Sequence, residues 1–174
     1  MALRRRQQLD WSKNFKFRLM VTDISNMAIG LAHSDELTGF DSYFDQSYER
    51  VKTAKKNDKT FFDAFYDNFL ASSPHIANHF RNTNMKRQKA MLEKSFYSLF
   101  IFYATNNAND YLRKIAEHHG KAGNNIPPDL YDVWLESLIK TVAEFDPEFN
   151  SDVELSWRVV LSSGITYMKF KYDK

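Results

Sequence analysis

Turns are what this chain can least supply. Its 174 residues include only five glycines and four prolines, where average usage of the two together is roughly 12%. A β-sandwich or barrel needs a turn about every 8–12 residues and so uses far more of both. A doubly wound α/β domain marks its phosphate-binding turn with a glycine cluster, and none is present. Long helices joined by few turns are the economical solution, in a chain long enough for one sizeable core and short for two. Aromatic residues reach 16%, dominated by 15 Phe and 9 Tyr. That much ring surface is costly to leave in water, so the core is expected to be large, or built around something flat and apolar.

The absence of cysteine excludes a disulfide framework, a thiolate zinc site, an iron–sulfur cluster and a thioether-tethered cofactor. No run approaches the 18 or so apolar residues of a membrane span. The basic start Met1-Ala-Leu-Arg-Arg-Arg is not followed by the apolar region and cleavage site of a secretory signal. A cytoplasmic location is the expectation. Within a net charge of +2, the first 20 residues hold Arg4, Arg5, Arg6, Lys13, Lys16 and Arg18 against Asp10. The rest is therefore acidic, which argues against nucleic-acid binding. Residues 1–40 read as a basic N-terminal extension that packs on its own body or on a second subunit, and 41–174 as the main domain. A helix from Phe15 to Leu31 is one option for the extension, loosened by Gly30 and Gly39.

Apolar spacing marks the helices. Residues 61–71 place Phe61, Phe62, Phe65, Tyr66, Phe69 and Leu70 on one broad stripe, ended by Ser72-Ser73-Pro74. Asn82-Thr83-Asn84 offers N-cap side chains for a long helix over about 85–104, with Gln88, Leu92, Ser95, Phe96 and Leu99 on one face. A short helix over about 110–119 follows, then a loop from Gly120 to Pro128. Pro127-Pro128-Asp129 opens a helix carrying Tyr131, Trp134, Leu135, Leu138, Ile139 and Val142, broken by Asp146-Pro147. The last helix, about 151–170, repeats the pattern through Val153, Trp157, Val160, Leu161, Ile165 and Met168. One more is expected over 42–55. The fold class is all-α.

Without cysteine, a transition metal must be held by histidine nitrogen or carboxylate oxygen. The histidines are His33, His75, His79, His118 and His119. His75 and His79 share a helical side at i, i+4, but no third ligand with helical spacing is near, so a surface pair is the simpler reading. His119 continues the apolar stripe of Leu112, Ile115 and Ala116, whereas His118 lies about 100° away on the polar face. A histidine on an apolar face is more often a satisfied core residue than a ligand, and both readings stay open. Gln88 and Tyr66 also lie on apolar faces, where a buried polar group needs a partner. No nucleophile elbow, Walker-type loop, zinc-protease helix or calcium loop occurs.

Taken together, these residues resemble the globin family, specifically bacterial single-domain globins and the globin part of flavohaemoglobins. Phe65-Tyr66, Pro74 and Phe80 look like that family's second helix and the turn after it. Gln88 and Leu92 follow, then Ile115-Ala116-x-x-His119, Tyr131 and its stripe, Asp146-Pro147, Trp157 and Ile165, across about 42–170. The resemblance implies seven or eight helices around a pocket for haem b (iron protoporphyrin IX). It makes His119 the proximal iron ligand, Phe80 a wedge against the haem face, Tyr66 and Gln88 the distal pair, and Leu92 bulk beside them. Tyr131 matches a tyrosine that tunes the proximal histidine. The tail after Tyr167 offers no matching glutamate, so a strongly peroxidase-like iron is not expected.

Three functions are compatible with that resemblance. The first is reversible binding of O2, with NO and CO as further ligands. The second is NO dioxygenation supported by a separate reductase, since the chain stops at Lys174 without room for a flavin or nicotinamide site. The third is a gas or redox sensor whose basic arm addresses a partner. The stripes bearing Trp134 and Trp157 also suggest a homodimer paired through the last two helices.

Overall fold

The computed structural model describes the backbone of residues 34–174 and the side chains from Gly39 onward. Residues 1–33, with the Phe15–Leu31 segment and His33, lie outside the described residues. Seven helices are present among the described residues: α1 (Ser34–Thr53), α2 (Phe61–Ala71), α3 (Pro74–His79), α4 (Met85–Thr105), α5 (Asp110–His119), α6 (Leu130–Phe145) and α7 (Ser151–Phe170). Between α1 and α2 stands a small antiparallel hairpin, β1 (Lys55–Lys56) and β2 (Lys59–Thr60), pairing Lys55 with Thr60 and Lys56 with Lys59.

Local chemistry explains most of the boundaries. Thr60 and Asp63 form a reciprocal capping box. The Asp63 N–H donates to Thr60 Oγ1 at 3.2 Å, and the Thr60 N–H donates to Asp63 Oδ2 at 2.9 Å. Ser73 caps α3 with Pro74 in its first turn, Asn84 caps α4, Asn109 caps α5 and Asn150 caps α7. The hairpin turn uses Asn57 and Asp58 at φ 52° and 60°, the left-handed pair that matches strand twist.

One expectation needs correction. α1 runs from Ser34 to Thr53, not over 42–55. Gly39 does not break it because a lone glycine costs a helix only about 1 kcal/mol, and α1 is held by tertiary packing. The hairpin takes residues 55 and 56, which a longer helix would have used.

The core lies where α1, α4 and α7 meet. Trp157 is fully buried and donates its Nε1–H to Ser47 Oγ at 2.9 Å. Its ring lies 4.8 Å from that of Phe44 and 5.8 Å from that of Phe96. At the α6–α7 corner, Arg50 of α1 holds the Asp146 carboxylate through paired bonds of 2.7 and 2.9 Å. Burial alone would raise the Asp146 pKa, but bonds from Arg50, Ser47 and the Glu148 backbone outweigh it and hold the carboxyl below its ordinary range. α2 packs on α6.

Candidate functional site

Helix phase decides which of the adjacent histidines turns inward. Leu112 and Ala116 are 1% exposed on the inner face of α5, His119 is half-buried along the same stripe, and His118 is exposed. The His119 Nδ1 lies 2.9 Å from the Ile115 carbonyl oxygen. A carbonyl can only accept, so Nδ1 carries the proton and Nε2 keeps its lone pair. Burial, the largest influence, lowers the pKa of the ring and keeps it neutral. The loop after α5 folds back on its end: Asn124 N–H donates to His118 O at 2.7 Å and Ile126 N–H to His119 O at 3.0 Å. That closure needs Gly123, where a Cβ would stand 2.5 Å from His118 O.

Opposite this face, Tyr66 on α2 is 4% exposed. The Gln88 side chain on α4 lies beside its phenol. Burial, the larger influence, pushes the phenol up to about 12, and Gln88 acts in the lowering direction. Lys89, next to Gln88, pairs with Asp63, one turn before Tyr66, which ties the start of α4 to α2 and sets this register. Phe80, at the end of α3, meets the Tyr66 and Phe69 rings at 5.8 and 5.9 Å.

These two faces border one cavity of roughly 1020 Å³, counted to its open mouth. Tyr66, Phe80, Gln88, Leu92, His119 and Tyr131 all line it. The Tyr131 ring lies 6.4 Å from His119, and burial raises its pKa. The walls also include residues that periodicity alone reads as core or surface: Leu99, Trp134, Ile165 and Met168 inside, with Met91 and His79 toward solvent. Ile126 enters from the loop after α5, for which no periodic signal exists. Trp134 faces the cavity and Trp157 the core.

No family model matches the chain, and no curated protein matches it. A solved structure does. A Pseudomonas aeruginosa PAO1 protein, described as structurally highly homologous to a human haemoglobin, aligns at 34% identity and TM-score 0.71 over 78% of this chain and 99% of its own. The chain belongs to the globin family. In this globin the cavity sits between the α2–α4 wall and the α5–α6 wall, the arrangement in which a flat apolar group is gripped on both faces. The donor set fits haem: an apolar slot, a neutral imidazole with Nε2 unengaged among the described residues, and hydrogen-bond donors on the facing wall. Among the described residues of the globin, no helix is long and apolar enough to cross a membrane.

Proposed function

We propose that this globin carries haem b on His119 and binds O2 reversibly, with NO and CO as further ligands. The observation that supports it best is the His119 ring, with Nδ1 committed to a backbone carbonyl and Nε2 left to a cavity faced by Tyr66 and Gln88. When bound, haem would supply an iron able to take a diatomic ligand, and His119 is the side chain that would hold it. The protein's part is orientation and polarity. The Ile115 carbonyl holds the imidazole rotation, as outer partners of metal-bound histidines generally do. Phe80 and Leu92 close the slot against water, and the Tyr66 O–H offers a hydrogen bond inside it.

The proximal arrangement favours ligand binding over peroxidase-like chemistry. The Nδ1 partner is a neutral carbonyl, which raises ligand basicity less than a carboxylate would. Tyr131 stays protonated in its buried position and adds no charge.

An absorption spectrum tests the proposal. The purified chain, reconstituted with haem, is expected to show a Soret band that shifts on reduction and again on exposure to CO. His119→Ala is expected to lose the haem on gel filtration while helical circular dichroism is unchanged. No Soret band in the wild type, or full haem retention by the variant, would overturn it.

A further inference from the structure

His75 and His79 lie outside the ligand machinery described above. Both are exposed on α3, yet their Nε2 atoms stand only 3.2 Å apart, with ring centroids at 4.7 Å and planes crossing at 84°. The short helix that carries them is held at both faces. Ser73 Oγ accepts the His75 N–H at 3.2 Å, and Ile76, 1% exposed, plugs the inner side. The helix thus carries the two rings one turn apart on one side, with one Nε2 at hydrogen-bond distance from the other.

Imidazole nitrogens bind Zn²⁺-sized cations at about 2.0–2.1 Å. Two nitrogens 3.2 Å apart then subtend about 99–106° at the ion, between the square-planar and tetrahedral values. We infer that His75 and His79 form a two-imidazole chelate for a borderline divalent cation, Zn²⁺, Ni²⁺ or Cu²⁺, at the cavity rim. Binding needs each neutral ring to carry its proton on Nδ1 and turn its Nε2 lone pair to the ion, with no net proton released. Exposure leaves both rings free to make that small rotation. Among the described residues no group of three or more acidic or histidine side chains surrounds a common point, so water completes the coordination. Ca²⁺ and Mg²⁺, which want oxygen ligands, are excluded. His79 also lines the cavity, so a bound cation places positive charge at its mouth, one residue from Phe80.

Calorimetric titration of the untagged full chain with Ni²⁺ tests this, and it does not depend on haem. One equivalent is expected to bind. His75→Gln and His79→Gln are each expected to weaken it at least tenfold, and the double variant little further, because a chelate is lost with either arm. His118→Gln, at an exposed histidine elsewhere, is expected to leave it unchanged. Single variants that bind like the wild type, additive losses in the double variant, or an equal loss in His118→Gln would overturn the chelate.

Discussion

Replacing Tyr66 by phenylalanine removes one oxygen and leaves the ring. The ring's packing, 5.0 Å from Phe65 and 5.8 Å from Phe80, survives, so the fold should be unaffected. What disappears is the donor in the cavity. Tyr66 lines the cavity, and its O–H is the group that would be given to bound O2. Bound O2 carries partial negative charge, and a hydrogen bond to a charged acceptor contributes about 1.5–3 kcal/mol. With about 1.4 kcal/mol per tenfold, O2 dissociation should accelerate by about 10- to 150-fold. CO is less polar and should dissociate at nearly the same rate as before. Burial pushes the phenol up to about 12, so the wild-type rate should be flat across neutral pH. Stopped-flow displacement of O2 by CO reads the first rate, and displacement of CO by NO reads the second. An O2 rate within about threefold of the wild type, on a variant of unchanged spectrum, would refute the assignment of Tyr66 as the stabilising donor.

Three further outcomes follow from the frame around the cavity. Arg50→Leu strands the Asp146 carboxylate, whose side chain is 0% exposed; an uncompensated buried charge costs about 3–5 kcal/mol, measurable as a lower urea midpoint at unchanged m-value. Gly123→Ala forces a Cβ against the His118 carbonyl and should loosen the loop behind His119, seen as faster haem transfer to an apo-globin acceptor. Asp63 is held below its ordinary pKa, first by its bond from Lys89 and then by Thr60. A depressed folded pKa contributes stability that is complete above the unfolded value of about 3.9 and lost as pH falls through the folded value. Wild-type stability should therefore drop on acidification below about pH 5, and Asp63→Asn should be less stable at neutral pH with a shallower acid slope. Parallel acid slopes for the two proteins would dismiss the ion pair as a contributor.

Periodicity was readable wherever a helix has one wet and one dry face. The stretches 61–71, 110–119 and 151–170 coincide with α2, α5 and α7, since their capping residues and apolar stripes point to the same ends. The same phase separated His119 from His118 before any contact was known. α1 was legible only in part: its first turns carry few apolar residues, and tertiary anchoring through Arg50 and Ser47 replaces the missing local signal. The hairpin escaped because it rests on backbone angles at Asn57 and Asp58, not on side-chain period. Helix α3, six residues long, is too short for a period to show.

Local sequence determines the long helices from α2 onward and the inward phase of His119, because hydrogen-bonded caps and a 3.6-residue period are properties of neighbouring residues. Only the tertiary structure decides that Tyr66 and Gln88 meet on one wall, that the Ile115 carbonyl engages Nδ1 of His119, and that Phe80, Tyr131 and Ile126 share one cavity. Those relations join segments distant in the chain. Which polar group meets which depends on how the helices cross, and the close approach of α4 to α7 at Gly164 beneath Leu99 is one place where that crossing is set. The aromatic excess is likewise explained only in three dimensions. Part of it fills the core around Trp157, and part walls a cavity between two helix pairs, a division that a linear count of rings does not contain.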